Sequence, residues 1–129
     1  MLKYFVMAVA LGCSVAQACP QINGEFAQQI DANSSVSISV NTRMENGVVS
    51  YSMDNGTTYV AADGQPHHQS ANGESGSVKI SCSGDTVDID LQMDGGPAAG
   101  MQIEKTGETS IRVTGRGGLS DSQGTYIRR

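Results

Sequence analysis

Apolar and polar residues alternate in short runs along the chain, and glycine-bearing turns separate the runs. After Cys19 no segment sustains the i, i+3, i+4, i+7 apolar spacing of an amphipathic helix. Residues 35–41 set Val36, Ile38 and Val40 between polar neighbours, and residues 86–93 set Val87, Ile89, Leu91 and Met93 between Asp88, Asp90 and Gln92. Runs of period two build strands with one buried face and one wet face.

The turns sharpen this reading, because a tight hairpin loop fixes register and a one-residue slip would turn the apolar set to solvent. Asn46-Gly47 as a two-residue loop pairs Met44 with Val49, Thr42 with Tyr51 and Val40 with Met53. Asn55-Gly56 pairs Tyr51 with Val60 and Val49 with Ala62, so both turns select one inward face for the middle strand. Ser83-Gly84 pairs Ile80 with Val87 and Val78 with Ile89 inside, and Lys79 with Asp88 outside. Thr106-Gly107-Glu108 joins strands 101–105 and 109–115, setting Ile103 against Ile111 and Met101 against Val113. A first strand starts near Gly24, and a connector at 116–123 leads to a last strand at 124–129.

The predicted fold is all-β: an antiparallel meander of eight or nine strands closed as an up-and-down barrel, since closure removes exposed edges. A curled sheet or a β-sandwich is the alternative. Inward positions are Val36, Ile38, Val40, Tyr51, Val60, Val78, Ile80, Val87, Ile89, Leu91, Met93, Met101, Ile103, Ile111 and Val113.

Met1-Leu2-Lys3 and the apolar run 4–12 have the form of a secretory signal, too short to span a bilayer. Ala16 and Ala18 supply the small residues that a signal peptidase accepts, which divides the chain into a signal segment 1–18 and a single domain 19–129. Removal of Cys13 leaves Cys19 and Cys82 as a pair, and a disulfide between them is expected in an oxidising compartment. The expected location is therefore outside the cytoplasm, periplasmic or secreted, with no membrane span after cleavage. Leu11-Gly12-Cys13 resembles the end of a lipobox, so a lipid anchor on Cys13 is the alternative.

Residues 19–129 hold seven Lys and Arg against thirteen Asp and Glu, a net charge of −6, and the basic residues are scattered. No positive stripe could follow a phosphate backbone, which excludes nucleic acid as a partner. A monomer is expected.

Ile22-Asn23-Gly24-Glu25-Phe26 resembles the Gly-x-Trp segment of the lipocalin-type barrels, with Phe26 at the tryptophan position. The resemblance implies an aromatic at the barrel base packed under a basic residue late in the meander, a role for Arg128, and binding inside a cup.

Residues 63–76 form a polar stretch containing both histidines, and a long loop in a compact domain is a frequent site of function. Asp63, His67 and His68 are its candidates. Adjacent histidines on an extended chain point to opposite sides and no third His or free thiolate is at hand, so no metal site is expected. No Gly-x-Ser-x-Gly elbow occurs, and Asp88 and Asp90 share an outward face where water keeps both ionised. The chain is read as non-enzymatic and without a cofactor.

The barrel interior remains. An eight-stranded barrel either fills its own centre or holds one small ligand, and six aromatics argue against a large stacking pocket. Val40, Tyr51, Val60, Ile80, Ile89, Leu91, Ile103 and Ile111 are the candidate contacts for a small apolar or amphipathic ligand taken at the open end near the 63–76 loop. The alternative is an envelope or secreted interaction protein, of inhibitor type, with a filled core.

Overall fold

The computed structural model describes residues 19–129 apart from Asn72 and Pro97; the expected signal segment 1–18, with Cys13, lies outside the described residues. Ten strands form among them: β1 (Gly24–Asp31), β2 (Ser34–Glu45), β3 (Val48–Ser52), β4 (Val60–Ala61), β5 (Pro66–Ala71), β6 (Glu74–Ser83), β7 (Thr86–Met93), β8 (Ala98–Lys105), β9 (Ser110–Arg116) and β10 (Gly124–Arg128). A short 3-10 turn, Gly117–Ser122, joins the last two. All pairings are antiparallel in one sheet ordered β4-β3-β2-β1-β10-β9-β8-β7-β6-β5. Each strand thus bonds to its neighbours in sequence except across β4 and β5, while β1 joins β10. The result is a nearly closed up-and-down barrel with one seam.

Both Asn-Gly turns form as expected. Asn46 and Gly47 have φ of 53° and 80°, Asn55 and Gly56 have 59° and 85°, the double left-handed pattern of a type I′ loop. Met44 faces Val49, Thr42 faces Tyr51 and Tyr51 faces Val60. The expected Val40–Met53 pair is absent because β3 stops at Ser52. The Ser52 hydroxyl accepts from the Gly56 amide at 2.9 Å and donates to Asp54 at 2.7 Å, so a side-chain turn replaces the ladder there.

Two registers differ from the expected ones by two residues. The loop after β6 is Gly84-Asp85, which sets Ile80 against Ile89, Cys82 against Val87 and Lys79 against Asp90. Gly84 has φ 62° and Asp85 is not among the positive-φ residues, the glycine-first order of a type II′ loop. The expected Lys79–Asp88 pair therefore does not form. Likewise Ile103 faces Val113 and Met101 faces Gly115, because the three-residue β8–β9 loop is Gly107–Thr109 rather than Thr106–Glu108, closed by the Thr106 amide on the Ser110 carbonyl at 3.1 Å. A shift of two keeps every side chain on its face, so the inward set survives.

The segment 63–76 is a hairpin rather than a loop. Its strand β5 pairs with β6 from Pro66 opposite Lys79 to Ala71 opposite Glu74 and accounts for the tenth strand. Among the expected inward residues, Val36 and Met93 are exposed at 41% and 39%; Val36 lies on the outer half of the β1–β2 hairpin, where neither strand is covered, and Met93 ends β7. The other inward residues form the core or pack against it.

Strand alternation gives the barrel two distinct ends. One carries the turns after β2, β4, β6 and β8 and the start of β1. Here the segment from Cys19 plugs the barrel: Cys19 is disulfide-bonded to Cys82 across a sequence separation of 63 residues, and Pro20 and Ile22 are buried. The Thr42 hydroxyl accepts from the Ile22 amide and donates to its carbonyl, both at 2.8 Å, while Asn23 accepts from the Thr42 amide. Phe26 is buried above this plug with Arg128 opposite it in register. The Arg128 side chain runs past Gly24 and donates to the Asn23 carbonyl at 3.1 Å. The other end carries the turns after β1, β3, β5, β7 and β9.

Candidate ligand cavity

At this second end the barrel is hollow. A cavity of about 660 Å³ lies between the seam strands and the opposite wall. Its walls are Tyr51 from β3, Val60 from β4, Val78 and Ile80 from β6, Ile89, Leu91 and Met93 from β7, Met101 from β8, and Leu119 from the 3-10 turn. Its mouth is mostly polar: Asp54 and Thr58 stand with the apolar Met53 on the β3–β4 connection, and Gln69, Ser70, Glu74 and Ser75 on the β5–β6 hairpin tip.

The seam explains why the space exists. β4 is two residues long and β5 bonds only to β6, so the two strands splay from their connecting turn toward the mouth. Near that turn the Gly64 amide holds the Ile80 carbonyl at 2.9 Å and the Ala62 amide holds the Val49 carbonyl at 2.8 Å. Toward the mouth, no ladder joins β4 to β5 among the described residues.

Tyr51 ties the cavity to the plug. Its ring lines the cavity, its hydroxyl donates to the buried Pro20 carbonyl, and its oxygen lies 3.9 Å from Cys82 Sγ. Burial pushes the phenol well above the usual tyrosine range, so it stays protonated in the folded protein. At the mouth, the Ser52 hydroxyl and the Thr58 amide donate to Asp54 and hold its carboxyl below the ordinary aspartate value. Asp54 is therefore a fixed negative charge near neutrality.

Of the eight interior candidates, Tyr51, Val60, Ile80, Ile89 and Leu91 line the cavity. Val40, Ile103 and Ile111 do not; they are packed in the filled part of the core with 1%, 0% and 1% exposure. Asp63, His67 and His68 lie off the cavity. The half-buried imidazole of His67, opposite Val78 on β6, contacts Asp63 at 3.0 Å beside the β4–β5 turn, the Gln65 amide and His67 hold the Asp63 carboxyl low, and His68 is exposed. Among the described residues no group of three His, Cys, Asp or Glu side chains is placed to hold a metal ion, and no helix is long and apolar enough to cross a membrane.

Sequence reasoning did not find the mouth. Asp54, Thr58, Gln69, Ser70 and Glu74 are polar residues in turns, and only the splay of β4 from β5 brings them together. Leu119 carried a signal, as the lone large apolar residue of a Gly- and Ser-rich connector. Comparison of the chain with protein-family models, with curated proteins and with solved structures finds no match.

Proposed function

We propose that the protein is an exported, non-enzymatic barrel that carries one small apolar or amphipathic ligand in this cavity. The carrying observation is the apolar-walled space of about 660 Å³ with a polar mouth. Small-molecule sites run from about 300 to 1,000 Å³ and pair apolar walls with a few polar groups. Each Å² of apolar ligand surface removed from water contributes about 25 cal/mol, which suits walls that offer little hydrogen bonding. The Cys19–Cys82 disulfide supports an oxidising compartment, as does the signal-like segment before it.

Native mass spectrometry of protein taken gently from the producing cell's envelope tests this reading. The expected result is a reproducible excess mass that organic extraction releases as a small apolar compound. A bare mass, together with no uptake of the neutral fluorophore N-phenylnaphthylamine, overturns it.

A protein-interaction role is the second reading. Its support is the pair Ile30 and Val36, exposed at 56% and 41% on the outer half of the β1–β2 hairpin. Envelope cross-linking that captures one partner with the native protein and loses it with Ile30→Ser and Val36→Ser together would favour this role.

A further inference from the structure

We infer that the cavity selects amphiphiles by the charge of their polar end, taking an ammonium-type head in preference to a carboxylate of the same tail. This rests on the ligand-carrier reading above. Asp54 and Glu74 are the charged residues at the mouth, and no Lys, Arg or His lines the cavity among the described residues. A ligand carboxylate seated there meets two negative charges and no cation to pair with.

The surrounding rim has the same sign. A carboxylate stands at or beside each of the five connections at the open end: Asp31 at the end of β1, Asp54 after β3, Glu74 at the start of β6, Asp94 after β7 and Asp121 in the 3-10 turn. Arg116, at the end of β9, is already held by Asp88 and Asp90 on the outer wall, where Lys79 also stands, opposite Asp90 on β6. Arg43 is stacked on Tyr59 at 3.9 Å and paired with Glu45, also outside. Lys105, Arg128 and Arg129 sit at the plugged end. Like-signed charges around a low-dielectric opening concentrate the field there, raising the local concentration of cations and lowering that of anions.

The geometry also fits a head-out pose. The apolar walls lie deep and the carboxylates lie at the mouth, so a tail can fill the cavity while its head stays partly hydrated beside Asp54 and Glu74. A neutral alcohol of equal length fills the same space with no charge preference and serves as the reference.

The test compares decylamine, decanol and decanoic acid by isothermal titration calorimetry on the disulfide-bonded 19–129 protein at neutral pH. At low salt the amine is expected to bind at least about tenfold tighter than the acid, with decanol between them. In 1 M salt, where the Debye length is about 3 Å, the ratio should fall toward unity. Asp54→Asn with Glu74→Gln should also lower it, the amide oxygen at 54 still accepting from Thr58. Equal binding of all three probes, or tighter binding of the acid, overturns the charge selection and leaves the carrier reading standing. Failure of all three to bind overturns the carrier reading and this inference with it.

Discussion

The Arg116 guanidinium reaches Asp90 by lying across Gly100, which sits between them on β8. Asp90, Gly100 and Arg116 are direct partners on three adjacent strands, and Arg116 also lies 3.1 Å from Asp88. A Cβ on Gly100 would stand 2.1 Å from Arg116 Nη2. Gly100→Ala is therefore expected to push the arginine off its track, and because the pair is half exposed the loss is at most about 1 kcal/mol. In an Arg116→Ala background the same change should be neutral or stabilising, since glycine weakens a strand interior. A double-mutant cycle in urea checks this; additive effects would show that Arg116 does not use the gap.

Tyr51 and Tyr126 are both kept neutral by burial, which raises the phenol of each. Unfolded tyrosine ionises near 10, so above about pH 10 the unfolded chain sheds protons that the folded chain retains. Stability is then fully present below pH 10 and declines above it, by up to about 1.4 kcal/mol per pH unit for each tyrosine. Urea midpoints measured from pH 9 to 11.5 should show this fall. Tyr51→Phe should flatten it while costing about 1–3 kcal/mol near neutrality, because the buried Pro20 carbonyl loses its donor. An unchanged alkaline slope in Tyr51→Phe would refute the assignment.

Reduction of Cys19–Cys82 releases a loop of 63 residues together with the plug. Loop-closure entropy sets the expected loss at about 2–4 kcal/mol. Intact mass before reduction should be lower by two hydrogens, and the Cys19→Ser, Cys82→Ser protein should melt at a clearly lower temperature. Two reactive thiols in exported protein would contradict the bond.

The two ends of the barrel should respond oppositely to added bulk. Leu91→Phe places extra volume in the cavity and should weaken uptake of an apolar probe at least about tenfold, with stability unchanged or raised by about 0.5–2 kcal/mol. Ile111→Phe adds the same kind of volume where exposure is 1% and should cost about 1–3 kcal/mol. Thermal melts of both variants beside probe titrations decide the matter; equal destabilisation would mean that both ends are filled.

What was legible in the sequence follows what burial imposes on it. Val40, Ile80, Ile89, Ile103 and Val113 alternate because each strand buries one face, so the fold class and the inward set could be read. Pairing partners could be read only where both turn residues need positive φ, as at Asn46-Gly47 and Asn55-Gly56. At Gly84 a single glycine fits the first or the second turn position, and the two choices differ by two residues with no change of face. Strand β5 was invisible because the edge strand Pro66, His67, His68, Gln69 and Ser70 half-buries only polar side chains, so no apolar alternation marks it. The candidate site inherited this limit. Its apolar walls showed in the pattern, and its mouth depends on where β5 lies.

Joining β1 to β10 has a consequence for how the protein can be made. The strands that meet last in synthesis and first in synthesis are partners, so the ring is buckled by its two extremities while its seam lies between chain neighbours β4 and β5. Until Gly124–Arg128 has been delivered, β1 and β9 each present a bare row of amides and carbonyls, the template for pairing with another chain. Contacts between such distant strands also form slowly. A chain emerging N-terminus first can set its hairpins one after another, yet it stays vulnerable to self-association until β10 bridges β1 and β9.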